Sequence, residues 1–220
     1  MPPFDRHDWV WLADDWRRQL LTPLTPDDDW AVEDWLRGDR PLVVARRQAG
    51  DAPECLRLGL ALPGKKRIGL CLTREAVLRR AEGPTLAQAT VLACPEWRDS
   101  LLNFSAGLAA IGEEARVYGS FAWQYFADDP TRVYLTASSD VDLLLRPASW
   151  VFAQRLLAFL EDFSNRHPAP RLDGEIILPD GDAVAWRELL QAPTKVLTKG
   201  AEVRLRFLEE IRALYRERAA

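Results

Sequence analysis

The chain has 220 residues, enough for one large domain or two small ones, and 48% hydrophobic with 28% charged residues is ordinary globular composition. Its formal net charge of −4 argues against a duplex-binding protein, and nine Trp and eight Phe exclude a disordered chain. With two His and three Cys, histidine-rich metal sites and a Ser-His-Asp triad are disfavoured, so any chemistry is expected to rest on carboxylates.

Residues 1–8 carry no signal-peptide pattern, and no apolar run is long enough to span a membrane. A cytoplasmic location is expected, with Cys55, Cys71 and Cys94 as reduced, motif-free thiols. Residues 6–21 form a Trp-rich segment read as partly helical. Residues 27–37 read as a helix, with Pro26 before an acidic first turn and Trp30 and Trp35 on its buried side. Residues 42–44 read as a strand, 56–60 alternate weakly, Pro63-Gly64 marks a turn, and 67–72 read as a second strand. Thr73 is a candidate N-cap for a helix to about residue 80.

Glu82-Gly83-Pro84 breaks the pattern and suggests a boundary, with an N-terminal α+β domain at 1–83 and a catalytic domain at 84–220. Helices are expected at 85–92 and 96–111, a strand at 117–118 and a helix start at 121–126. Residues 133–137 fit a loop or a short strand, and 141–145 a strong strand. A helix at 149–165 places Ala153, Leu156, Leu157, Leu160 and Phe163 on one face. A strand at 172–178, a turn at 179–182, a helical turn at 186–190 and a last helix at 202–217 follow. The fold class is therefore α/β (α+β): a small mixed sheet flanked by helices, with a smaller N-terminal α+β domain.

The chemistry concentrates in Gly119-Ser120 and in Ser139-Asp140-Val141-Asp142. Strand alternation turns Val141, Leu143 and Leu145 toward a core and Asp140 and Asp142 to the other face. Two carboxylates on one strand face repel unless a cation lies between them, and oxygen ligands suit Mg²⁺. Asp173 and Glu175 share a face on the strand at 172–178 and offer a third carboxylate. That group would complete a metal site or serve as general base. Gly119 allows close backbone approach to a phosphate, and Ser120 adds a donor at a helix start.

These residues resemble the nucleotidyltransferase superfamily, with Gly-Ser on a strand–helix turn, Asp-x-Asp on the next strand and a later carboxylate. Within it, the chain resembles the phosphoribosyl-dephospho-CoA transferase family that matures malonate decarboxylase, also called its holo-acyl-carrier-protein synthase. The matching words are Arg6-His7-Asp8, Arg40-Pro41-Leu42-Val43-Val44 with Arg46-Arg47, and Arg116-Val117-Tyr118-Gly119-Ser120-Phe121-Ala122-Trp123-Gln124. Residues 136–145, Leu172-Asp173-Gly174-Glu175 and Trp186-Arg187-Glu188-Leu189 continue the match, which covers most of the chain. Lys195-Val196-Leu197-Thr198-Lys199 departs mildly from the family's lysine-containing strand, leaving open which lysine takes the family role.

The resemblance implies a nucleotidyltransferase-like catalytic domain and transfer from 2′-(5″-triphosphoribosyl)-3′-dephospho-CoA to a serine of the apo acyl-carrier subunit, with diphosphate leaving. Neither nucleic acid nor membrane is an expected partner. Asp140, Asp142 and Asp173 are the expected catalytic and metal-binding set, with two Mg²⁺ ions expected. Gly119 and Ser120 would cradle diphosphate, with Glu175 as the competing base. Lys195, Lys199 and Arg204 are candidates for donor phosphate, against an equal reading as solvated charges. Arg46-Arg47 and Lys65-Lys66-Arg67 fit either partner contacts or solubility. His7-Asp8 fits a polar site or a turn, and Trp123 and Gln124 a pocket lining or core. Two alternatives remain: a nucleotidyltransferase with another acceptor, and a non-catalytic, antitoxin-like binding protein.

Overall fold

The computed structural model describes residues 4–129, 131–200 and 202–219. It is a mixed α/β protein with two sheets. The chain divides into two compact units, Met1–Gly83 with Phe126–Tyr134, and Pro84–Tyr125 with Leu135–Ala220.

The first unit is built on an antiparallel sheet of β1 (Trp9–Leu12), β2 (Leu42–Val44), β3 (Leu56–Ala61), β4 (Arg67–Leu72) and β5 (Val77–Ala81), in the order β4-β3-β2-β1-β5. The expected helical character of 6–21 gives way to β1 and a short 3₁₀ turn, Trp16–Gln19. Trp9-Val10-Trp11-Leu12 is a run of β-prone side chains, and pairing with β2 and β5 decides its form. The expected helix after Thr73 is likewise replaced by a 3₁₀ turn, Arg74–Ala76, and β5, because Arg79 and Arg80 pair with Trp11 and Val10.

Helix α1 (Pro26–Leu36) starts as expected, with the Thr25 hydroxyl accepting from the Asp28 N–H at 3.2 Å and acids in the first turn. Trp35 is fully buried and donates through Nε1 to the Pro41 carbonyl at 2.8 Å. Trp30 is 65% exposed, correcting its expected burial. Five residues of helix turn it about 140° away from Trp35. Cys55 and Cys71 form a disulfide where β3 meets β4, while Cys94 is free, so the expectation of three unpaired thiols is corrected for two of them. No single-sequence pattern marked that pair. It follows from the hairpin register, which sets Leu56 opposite Leu72.

The second unit carries β6 (Arg116–Tyr118), β7 (Val141–Leu145), β8 (Leu172–Ile177), β9 (Ala183–Ala185), β10 (Lys195–Lys199) and β11 (Val203–Phe207), in the order β11-β10-β9-β8-β7-β6. Only β7 and β8 run parallel; the other neighbours are antiparallel. Its helices are α2 (Leu86–Thr90), α3 (Pro95–Ala110), α4 (Gly119–Ala127), α5 (Trp150–Arg166), α6 (Trp186–Leu190) and α7 (Leu208–Ala219). The end of α4 and the segment to Tyr134 belong to the first unit. Thr85 and Gln88 close a capping box on α2, and Ser149 caps α5. Phe104 of α3 stacks on Phe159 of α5 at 5.4 Å. Residues 133–137 are a loop. The last helix starts later than expected, because Val203-Arg204-Leu205-Arg206-Phe207 alternates and pairs with β10 along its whole length.

One sheet face is dry: Val141, Leu143, Leu145, Leu172, Ile176, Val184 and Val196 are at most 1% exposed. The register places Tyr118, Asp142, Asp173, Glu175, Ala183 and Lys199 together on the other face. Among the described residues no helix is long and apolar enough to cross a membrane.

Candidate active site

The site grows from the parallel pair β7–β8. Asp142 lies directly opposite Asp173 in that register, and Tyr118 of β6 lies opposite Asp142 on its other side. Asp140 sits just before β7, where Arg171 Nη1 donates to its Oδ2 at 3.0 Å. The same guanidinium reaches Asp173 Oδ2 at 3.7 Å.

Two glycines make this crowding feasible. Gly119 follows β6 directly at φ +62°, and a Cβ there would lie 2.1 Å from Asp142 Oδ2. Gly174 has φ +131°, and a Cβ there would lie 2.1 Å from the Leu143 carbonyl oxygen, inside the β7–β8 ladder. Both positions need a residue without a side chain. Gly119 and Ser120 are the first residues of α4.

The Asp142 carboxyl is pushed up to about 6, first by burial, then by Asp173, Asp140 and Glu175, with Arg171 opposing. Glu175 is 3% exposed, and Lys199 Nζ meets its Oε1 at 3.1 Å. Of the two candidates on β8, Glu175 is therefore the one paired with a lysine, and Asp173 the one facing Asp142. Asp173 Oδ1 accepts from the Gly174 N–H at 2.8 Å.

The other candidates lie elsewhere. Lys195 packs its ammonium over the Phe207 ring at 4.4 Å, at the far end of β10. Arg204 lies opposite Thr198, on the sheet face away from Asp142 and Asp173, and bonds Asp182 at 3.0 Å, so it does not join the carboxylates. Trp123 is buried. In the first unit, Asp8 is buried, accepts from the Asp5 N–H at 2.6 Å and pairs with Arg80 at 2.7 Å. Burial raises its pKa against the pull of these contacts. Lys66 pairs with Asp28 at 2.7 Å, and Arg47 Nη2 donates to the Ala52 carbonyl at 2.8 Å.

Two arginines beside the carboxylates were given no role from the sequence. Arg171 stands immediately before the acidic strand, a position that could have marked it. Arg187 of α6 donates to the Leu172 carbonyl at 2.7 Å and so fixes the strand that carries Asp173.

Chemically, the face offers oxygen donors on neighbouring strands, one of them desolvated and crowded by like charges, and that donor set fits a divalent cation. The carboxylates of Asp140, Asp142 and Asp173 do not all lie within 4.8 Å of one another; among the described residues that spacing is met by Asp51, Cys55 and Cys71. There the sulfurs are joined and Arg57 holds Asp51, so that cluster has no ligand capacity.

The model of the phosphoribosyl-dephospho-CoA transferase MdcG N-terminal domain matches residues 5–83, and that of the MdcG C-terminal domain matches residues 85–208. A phosphoribosyl-dephospho-CoA transferase of Xanthomonas campestris pv. campestris (strain 8004) is 38% identical over 197 residues, covering 88% of this chain and 89% of the relative. Proteins of the same name from Xanthomonas euvesicatoria pv. vesicatoria (strain 85-10) and Bradyrhizobium diazoefficiens are 34% and 33% identical. They cover 88% and 91% of this chain, and 89% and 88% of their own lengths. No solved structure matches the chain. With models matched in both units and relatives aligned over most of its length, the chain belongs to the phosphoribosyl-dephospho-CoA transferase family.

Proposed function

We propose that the protein transfers the phosphoribosyl-dephospho-CoA group from 2′-(5″-triphosphoribosyl)-3′-dephospho-CoA to a serine of the apo acyl-carrier subunit of malonate decarboxylase, by nucleotidyltransferase chemistry. The observation that carries this reading is the pairing of Asp142 with Asp173 across β7–β8, beside Gly119 and with Asp140 adjacent. Asp140, Asp142 and Asp173 are the residues that would hold Mg²⁺, which when bound neutralises charge on the donor phosphates.

Asp142 supplies the buried anionic centre of that set. The α4 start at Gly119-Ser120 presents backbone N–H groups and a hydroxyl to the departing diphosphate. The acceptor serine oxygen attacks the α-phosphorus, and the bond from that phosphorus to the bridging oxygen of the leaving diphosphate breaks. The serine proton passes to Asp173. Glu175 holds Lys199 on the same face, and in this reading the Lys199 ammonium neutralises charge on the incoming phosphate.

The test is mass spectrometry of the apo carrier after incubation with this protein, Mg²⁺ and the triphosphoribosyl donor. A mass increase equal to the phosphoribosyl-dephospho-CoA group on one serine, with stoichiometric diphosphate, is expected. A carrier left unmodified by the folded protein refutes the reading.

A further inference from the structure

Arg171 stands one residue before β8 and two before Asp173, so strand alternation sets its side chain on the face that carries the carboxylates. The β7–β8 ladder extends that far. The Val141 N–H donates to the Arg171 carbonyl at 2.9 Å, which brings Asp140, one residue before β7, beside Arg171. Arg171 Nη1 donates to Asp140 Oδ2 at 3.0 Å, and Nη2 lies 3.7 Å from Asp173 Oδ2. One guanidinium therefore spans the two carboxylates that flank Asp142. It engages oxygens for which a cation held by Asp140, Asp142 and Asp173 would compete.

Exposure separates this contact from the sealed ion pairs of the chain. Arg57 with Asp51 and Arg206 with Asp180 are sealed, their arginines 18% and 16% exposed. Lys199, on the carboxylate face, is anchored by Glu175, which is 3% exposed. Arg171 is 57% exposed, and Asp140 and Asp173 are 34% and 36% exposed. An ion pair open to water is weak and exchanges at little cost, whereas a sealed one does not. The planar fork of an arginine suits phosphate oxygens as well as it suits carboxylates.

Resting on the transfer reading above, we propose that Arg171 is an exchanging counter-ion: it holds Asp140 and Asp173, yields their oxygens to a divalent cation, and then binds a phosphate of the donor. Two cations on the same carboxylate oxygens repel each other, so the Arg171 contacts and cation binding exclude one another. The released guanidinium stays tethered at the start of β8, beside the group that faces Asp142, where donor phosphate is bound in this reading. The exchange has a signature of opposite signs. Removing Arg171 strengthens cation binding and weakens donor binding, whereas loss of a mere clamp on the two strands weakens both.

Calorimetry measures the affinity for Mn²⁺ of the protein alone, and then for the triphosphoribosyl donor in the presence of Mn²⁺. The proteins are the wild type, Arg171→Met, Arg171→Lys, and Arg171→Met combined with Asp142→Asn, with melting curves for each. The exposed side chain of Arg171 can be replaced without touching the carbonyl that joins the ladder. Arg171→Met is expected to bind Mn²⁺ about fivefold tighter and the donor at least tenfold more weakly. Arg171→Lys keeps the charge and loses the fork, so Mn²⁺ affinity stays within about twofold of the wild type and donor affinity falls about threefold. Adding Asp142→Asn removes the tightened Mn²⁺ binding.

Mn²⁺ binding that is unchanged or weakened in folded Arg171→Met overturns the exchange. Tightened Mn²⁺ binding with unchanged donor affinity also overturns it, leaving an arginine with no part in donor recognition. Tightened binding that survives Asp142→Asn places the ion elsewhere and overturns it too. Neither measurement needs the carrier, so a carrier left unmodified by the wild type refutes the transfer reading alone, and a failed binding result overturns the exchange alone.

Discussion

Asp142→Asn should make the metal-free protein more stable while removing transfer. In the folded protein the Asp142 carboxyl titrates near 6, against an ordinary value of 3.8. A raised carboxyl pKa means that the fold opposes the ionised form. The cost is fully present above about pH 6 and is relieved as pH falls toward 3.8. That gap corresponds to about 3 kcal/mol at pH 7.5 and about 1 kcal/mol at pH 4.5. Asn has nearly the same shape and no charge to oppose. Relaxation of the variant and of the unfolded chain reduces the gain, so about 1–3 kcal/mol is expected at pH 7.5. For a chain of this length that is a rise of about 3–10 °C in Tm. The assay is thermal unfolding in EDTA at both pH values. A variant that melts at or below the wild type at pH 7.5, or that gains as much at pH 4.5, refutes the charge-crowding account.

Gly119→Ala sets a methyl group 2.1 Å from Asp142 Oδ2 at φ +62°, so it is expected to lose about 1–3 kcal/mol in urea unfolding and at least tenfold in transfer. A variant with wild-type activity would show that Asp142 is free to move. Lys199→Met leaves Glu175 buried without its lysine and is expected to cost about 2–4 kcal/mol at pH 7.5. Adding Glu175→Gln should restore most of that stability, and a double variant no better than the single one would refute the pairing argument.

The facing of the candidate carboxylate Asp142 was readable in the sequence because strand alternation fixes it. Val141, Leu143 and Leu145 are all fully buried, which leaves Asp142 no choice but the other face. The pairing of Asp142 with Asp173 was not readable in the same way. It depends on the parallel register of β7 and β8, which 26 intervening residues between Leu145 and Leu172 leave undetermined locally. Elements that stand on local chemistry, such as α1 with its Thr25 cap and α5 with its apolar stripe, formed where expected. Residues 77–81 and 9–12 depart from expectation for the opposite reason, because β5 is a strand by pairing with β1, and β1 by pairing with β5 and β2. Val203–Phe207 did announce itself, through strict apolar–arginine alternation, and the helix period of the residues beyond it masked that signal.

The chain has 33 acidic residues, and Asp142 differs from its fellows in what shifts it. Asp51 is drawn down to about 2 by Arg57, and Asp162 is lowered by Arg166, as acids with an arginine partner should be. Glu113 is raised by burial alone, and Asp8 by burial with Arg80 opposing. Asp142 is raised by burial together with three other carboxylates, and the single guanidinium nearby fails to offset them. A fold could have relieved that repulsion with one more side chain at position 119 or 174, but both are glycine and any side chain there would strike Asp142 or the β7 backbone. The crowded charge is therefore bounded by backbone on both sides, at Gly119 and Gly174, the arrangement that the proposed function requires if metal and donor are to supply its counter-charge.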